Sequence, residues 1–166
     1  IWALNAKTGK MRWYVDGITG NSMTSSVIPT GNIIYATGDR GGGSIAVRTG
    51  GKGDVNKTHV AWTGKDGGNI STPLIYEGRI YFLKSSIFNC RDAETGKEIF
   101  SERISAAALT TADGRSPNGQ SGGRSSRRGG FGGADYASPV AAGGMFYQVT
   151  RKGETLVLKL GSEFKL

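Results

Sequence analysis

Short runs of β-branched and aromatic residues recur along the chain, each bounded by polar, glycine-containing positions. The clearest are Ile33-Ile34-Tyr35-Ala36, Arg79-Ile80-Tyr81-Phe82-Leu83 and Met145-Phe146-Tyr147-Gln148-Val149. Their composition predicts short buried strands between turns. A similar phrase introduces each run. Ser25-Ser26-Val27-Ile28 leads in through Gly31-Asn32, Ser71-Thr72-Pro73-Leu74 through Glu77-Gly78, and Ala137-Ser138-Pro139-Val140 through Gly143-Gly144. Pro73 and Pro139 fall early in the first strand of their units, where a missing backbone donor is tolerated. No window of a dozen residues carries the apolar spacing of a helix. The pattern predicts an all-β protein built from a repeated unit.

The tyrosines set the period. Tyr35 and Tyr81 lie 46 residues apart, and Tyr81 and Tyr147 lie 66 apart. The 20 extra residues fall in the tract 110–133, which has almost no apolar content. Without that tract one period remains, within the ~40–50 residues of a four-stranded propeller blade. The expected division is a partial blade at 1–20, blades at 21–65 and 66–109, a Gly/Arg-rich insertion at 110–133, and a blade at 134–166. A propeller closes its sheet edges with about four to eight blades. The chain is therefore expected to be part of a larger ring, with an apolar blade face and open edges that favour self-association. A small complete ring of four unequal blades is the alternative.

A second phrase follows each of these strands. Ile1-Trp2-Ala3-Leu4-Asn5-Ala6-Lys7-Thr8-Gly9-Lys10-Met11-Arg12-Trp13 returns as Phe88-Asn89-Cys90-Arg91-Asp92-Ala93-Glu94-Thr95-Gly96-Lys97-Glu98-Ile99-Phe100. It reads as a hairpin. An alternating strand ends in Asn5 or Asp92, whose side chain can bond the turn backbone. Thr8-Gly9 or Thr95-Gly96 follows, the glycine supplying a positive φ. The return strand ends in Trp13 or Phe100, a ring able to wedge between blades and bury ~150–250 Å². Ala3 and Cys90 hold the inward position of the outgoing strand. In the middle unit the turn is lengthened: Ala46-Val47-Arg48 runs through Thr49-Gly50-Gly51-Lys52-Gly53-Asp54 to His59-Val60-Ala61-Trp62. The expected blade-docking residues are thus Ala3, Asn5, Thr8, Gly9, Trp13, Trp62, Asp92, Thr95, Gly96 and Phe100.

The pattern Ala-x-Asn/Asp-x-x-Thr-Gly-Lys-x-x-Trp, followed by Ser-Pro-apolar-apolar and Gly-x-apolar-Tyr, resembles the tryptophan-docking repeat of pyrroloquinoline-quinone-type β-propellers. The resemblance covers most of the chain outside 105–133. Residues 1–13 match it best, whereas Thr155-Leu156-Val157-Leu158-Lys159-Leu160-Gly161 has neither the Thr-Gly-Lys nor a closing Trp. It implies an eight-bladed ring, of which three to four blades, about half, would be present here. The family includes quinoprotein alcohol dehydrogenases, the outer-membrane assembly lipoprotein of the β-barrel machinery, and secreted non-enzymatic repeat proteins. It implies a periplasmic or extracellular location. In the dehydrogenases the quinone lies over the central channel, with a vicinal disulfide, an aromatic platform, and a calcium held by Glu, Asn and Asp beside a catalytic Asp. No position of this chain matches those ligands, and its single cysteine excludes a vicinal disulfide within it. The quinone and calcium are expected only where other blades supply their site, so no cofactor is assigned.

Composition changes this picture little. Glycine at 28 of 166 residues with 37% apolar content suits a turn-dense β protein. Cys90, as the sole cysteine, reads as a small buried residue. No apolar run is long enough to span a membrane as a helix. The net charge of +8 raises nucleic acid as a partner, but much of the excess sits in the insertion, in Arg115, Arg124, Arg127 and Arg128 against Asp113. That tract reads as a solvated loop; the alternative is an electrostatic polyanion contact through Arg124, Arg127 and Arg128. Gly41-Gly42-Gly43-Ser44 and Gly64-Lys65-Asp66-Gly67-Gly68-Asn69 lack the Gly-Lys-Ser/Thr ending and following helix of a phosphate loop, and read as turns. Asp39, Asp66 and Asn69 match no calcium-loop spacing. His59, the only histidine, reads as a packed or surface ring rather than a catalytic base. The expected function is a non-catalytic scaffold binding a protein or peptide partner. The alternatives are part of a quinone-dependent dehydrogenase and a sensor propeller joined to another domain.

Overall fold

The repeated strand–turn phrases fold into four sheets stacked face to face, antiparallel except where one short strand joins the first. A computed structural model describes residues 1–18, 23–38, 42–65, 70–84, 86–104, 136–150 and 153–164, and among them every regular element is a strand. The first sheet contains β1 (Trp2–Leu4) and β2 (Met11–Tyr14). The second runs β3 (Ile28–Thr30), β4 (Ile33–Thr37), β5 (Ser44–Arg48) and β7 (Val60–Gly64), in the spatial order β3-β4-β5-β7. The third runs β8 (Leu74–Tyr76), β9 (Arg79–Lys84), β10 (Ile87–Asp92) and β11 (Glu98–Arg103). The fourth holds β12 (Val140–Ala142), β13 (Met145–Val149) and β14 (Thr155–Lys159). In the second, third and fourth sheets each strand pairs with the next in sequence, except that β5 pairs with β7 across the long connection 49–59.

Register explains why the phrases recur. Ile28, Tyr35, Ala46 and Trp62 lie side by side across the second sheet, and Leu74, Tyr81, Cys90 and Phe100 do so across the third. Val140, Tyr147 and Val157 repeat the row in the fourth. Strand residues alternate between faces, so each row marks one face, and its neighbours along the strand mark the other. Three apolar clusters fill the spaces between sheets. Trp13 and Val15 meet Ala36, Ile45 and Val47 between the first and second. Tyr35 and Ala46 meet Ile80 and Phe82 between the second and third. Tyr81, Phe88 and Cys90 meet Phe146, Leu156 and Leu158 between the third and fourth. The middle sheets are covered on both faces, which is why β4 and β9 are almost continuously apolar.

The connection of the middle unit is lengthened as expected, but it is not turn throughout. Gly53–Asp54 forms a separate strand, β6, which leaves its own sheet and pairs in parallel with β2, Trp13 opposite Gly53 and Tyr14 opposite Asp54. The first sheet thereby gains an edge strand from residues that follow the second sheet's β5. The reason is packing: Val55, immediately after β6, is buried in the cluster under Trp13, and its amide donates to the Tyr14 carbonyl at 3.1 Å.

Candidate functional site

The two hairpin turns have the same internal wiring. The Asn5 carboxamide oxygen accepts from the Lys7 and Thr8 amides at 2.9 and 3.0 Å, and the Gly9 amide donates to the Asn5 carbonyl at 2.8 Å. Asp92 Oδ1 accepts from the Glu94 and Thr95 amides at 3.2 and 2.7 Å and from the Thr95 hydroxyl at 2.6 Å. The Gly96 amide donates to the Asp92 carbonyl at 2.9 Å. The hydroxyl of Thr8 or Thr95 also accepts from the amide two residues on, at 3.4 Å in both turns. Gly9 and Gly96 hold φ of 68° and 72°. The Thr95 hydroxyl holds the Asp92 carboxyl below its ordinary pKa, with slight burial opposing and the turn amides assisting. Asp92 is therefore spent on the turn, and nothing in this wiring frees it for acid–base work.

The aromatic ends of the return strands dock on neighbouring units. Trp62 Nε1 donates to the Ala93 carbonyl of the third sheet at 3.1 Å, and its ring lies against Gly96, where a Cβ would come within 2.6 Å. Tyr35 packs on the same ring, with centroids 5.5 Å apart. Trp13 is buried between the first two sheets, with Ala3 beside it. Phe100 meets Phe88 and Phe164 at 5.6 and 6.0 Å, so Phe164 brings an aromatic to the unit that lacks a closing Trp. The Tyr81 hydroxyl donates to the Gly161 carbonyl and accepts from the Gly161 amide, at 3.0 and 3.2 Å. Burial pushes the Tyr81 phenol up to about 12 and the Cys90 thiol up to about 11. A thiol this deep and this protonated is an inert packing group.

One set of linking residues escaped the sequence reading. The Ser26 amide donates to the Thr72 hydroxyl at 2.9 Å, and the Thr72 amide donates to the Ser138 hydroxyl at 3.0 Å. A hydroxyl ladder thus ties the starts of the second, third and fourth sheets together. The signal was present: Ser26, Thr72 and Ser138 stand at the same place in the repeated phrase. Their role depends on neighbouring sheets lying side by side, which a single strand does not show.

The remaining candidates divide cleanly. His59 is half-buried, with its Nδ1 2.8 Å from the Thr58 hydroxyl, and among the described residues no carboxylate is seen to orient it as a base would require. Between the Thr30–Ile33 turn and the turns carrying Glu77, Arg79 and Asp92 lies an open cleft of about 330 Å³. Among the described residues no group of three His, Cys, Asp or Glu is placed to hold a metal ion. With one cysteine in the chain, the described residues do not fit a quinone–calcium centre of the disulfide-bearing kind. Arg124, Arg127, Arg128, Asp39, Asp66 and Asn69 lie outside the described residues. No described helix is long and apolar enough to cross a membrane.

No family model matches the chain, and no curated protein matches it either. Among solved structures it is similar to the crystal structure of BamB from Moraxella catarrhalis, with a TM-score of 0.56 and 14% identity. The match covers 96% of this chain and 43% of that one, so the chain spans less than half the length of the protein it resembles. At that identity the likeness speaks for the fold alone. Taken with the four stacked sheets, it makes this an all-β chain of the β-propeller fold.

Proposed function

We propose that the chain is a non-catalytic propeller scaffold of an envelope protein, which binds a protein or peptide partner by strand addition. The observation that carries this reading is β6. An extended Gly53–Asp54 segment has added itself to the edge of β2, outside its own sheet. Backbone groups at a sheet edge accept any extended chain that comes within reach. The fourth sheet offers a comparable edge: β14 is the last strand of the order β12-β13-β14, with no strand beyond it among the described residues. The exposed Lys159 discourages indiscriminate pairing along that edge. A periplasmic or extracellular location is what the family resemblance suggests, and no resident cofactor is assigned because no position of this chain matches the quinone or calcium ligands of the dehydrogenases.

The test places a photo-crosslinking residue at Lys159 in β14 and, separately, at Lys7 in the first hairpin turn. A protein or peptide adduct at 159 and none at 7 is expected. No adduct at 159, or equal adducts at both, overturns edge binding. Dye-linked alcohol oxidation on adding pyrroloquinoline quinone and calcium overturns the non-catalytic half of the reading.

A further inference from the structure

Two asparagines of the chain open an Asn-x-Ser/Thr triplet, Asn56-Lys57-Thr58 and Asn69-Ile70-Ser71. That triplet, with Pro excluded from its middle place, is the acceptor signal for N-linked glycosylation and is read on surface loops. The structure separates the two. Ser71 is only 4% exposed, next to the ladder residue Thr72, so its hydroxyl is out of an enzyme's reach in the folded chain. Asn56, Lys57 and Thr58 instead form, with His59, the turn that joins β6 to β7. Lys57 and Thr58 are exposed and Asn56 is half-buried. The buried Val55 anchors this turn, its carbonyl accepting from the Thr58 and His59 amides at 3.2 and 3.0 Å.

The bonding of the Asn56 side chain leaves room for a substituent on its nitrogen. Oδ1 accepts from the Asp16 amide at 3.0 Å, while Nδ2 donates to Asp54 Oδ1 at 2.9 Å and to Asp16 Oδ2 at 3.4 Å. A carboxamide nitrogen carries two hydrogens, and an N-linked sugar replaces one of them. Oδ1 and the other hydrogen stay in place. The bond given up is the 3.4 Å one, already longer than a good N–H···O bond. The pairing of β6 with β2 is therefore compatible with a glycan on Asn56.

We propose that Asn56 is an N-glycosylation site, taking an oligosaccharide from a lipid-diphosphate donor. Nδ2 attacks the anomeric carbon of the donor sugar. The C–N bond forms as the C–O bond to the diphosphate breaks, and the lipid diphosphate leaves with the electron pair. The displaced amide proton passes to a base of the transferase, and no oxidant or reductant is needed. The donor is membrane-borne and presented outside the cytosol, so modification in the cell rests on the envelope location proposed above. The glycan has a use at this place. Gly53 and Asp54 are exposed and form the last strand of the order β1-β2-β6, with no strand beyond them among the described residues. An edge of that kind pairs with stray strands unless it is covered. A bulky, hydrated glycan two residues after Asp54 covers it.

The test incubates the folded chain with a purified single-subunit oligosaccharyltransferase and a lipid-diphosphate-linked oligosaccharide, and reads tryptic peptides by mass spectrometry. The glycan mass is expected on peptide 53–57 and not on peptide 66–79, which holds Asn69. Thr58→Ala is expected to abolish the modification and Thr58→Ser to restore it, with unchanged far-UV circular dichroism verifying that both variants fold. A synthetic peptide of residues 51–60 is expected to be modified as well. A modified synthetic peptide beside an unmodified folded chain overturns the inference, because the turn then withholds Asn56. So does failure of both to react, modification that survives Thr58→Ala, or equal modification at Asn69. These outcomes depend neither on where the protein resides nor on adducts at Lys159, so the site stands or falls separately from strand addition.

Discussion

Gly9 and Gly96 share a backbone conformation, φ 68° and 72°, but not an environment. A Cβ on Gly9 would meet nothing within 4 Å, whereas one on Gly96 would strike the Trp62 ring at 2.6 Å. Gly9→Ala is therefore expected to cost only the left-handed strain, about 1–2 kcal/mol. Gly96→Ala adds displacement of the docked indole, a further ~1–3 kcal/mol. Urea denaturation of the two variants measures the difference, and equal losses would mean that Trp62 does not rest on Gly96. Asp92 makes a second residue-scale prediction. Its folded pKa lies below the ordinary 3.8, chiefly through the Thr95 hydroxyl. The unfolded chain then binds the proton more readily, so the carboxylate stabilises the fold above 3.8, and this contribution drains as pH falls through the folded value. Asp92→Asn is expected to lower the urea midpoint near about pH 7 and to flatten its decline toward about pH 3. A parallel decline in both proteins would refute the assignment.

At the scale of the element, β6 is pinned by the Asn56 side chain as well as by the buried Val55. Asn56 Oδ1 accepts from the Asp16 amide at 3.0 Å, while its amide and Nδ2 both donate to Asp54 Oδ1 at 2.9 Å. These bonds are exposed, so each contributes modestly, about 0.5–1.5 kcal/mol. Asn56→Ala is expected to lower global stability by about 1 kcal/mol. It should also speed hydrogen exchange at the Val55 amide and leave the Tyr81 amide protected, because edge elements open locally while the core stays closed. Unchanged exchange at Val55 would show that its burial alone secures the strand. The hairpin turns were legible from sequence because every group in them lies within five residues: Asn5 or Asp92, the threonine, the glycine. The pairing of β6 with β2 was not, because the two strands are 40 residues apart and nothing in Thr49–Asp54 names its partner.

At the scale of the whole molecule, the junction of the third and fourth sheets concentrates the aromatic packing. Phe88 is fully buried and contacts Tyr81, Phe100, Phe146 and Phe164, the nearest centroid at 4.9 Å. Phe88→Ala is expected to cost about 3–5 kcal/mol, the range for emptying a large core site. Cys90 reports the event. Its thiol, buried and held near 11, is expected to resist a disulfide reagent in the wild type and to react in the variant through more frequent opening. Rapid labelling of the wild type would mean that the two sheets part readily.

The sequence alone determined the strands of the repeated unit, the tight turns and the period, because each depends on alternation and turn chemistry over a few residues, as Tyr35, Tyr81 and Tyr147 show at their fixed place in the unit. It also carried the propeller resemblance. Tertiary structure alone decided which side chains serve as glue between units. Ser26, Thr72 and Ser138 become a ladder only when three sheets stand side by side, and Gly96 becomes a floor only when Trp62 arrives from the sheet before.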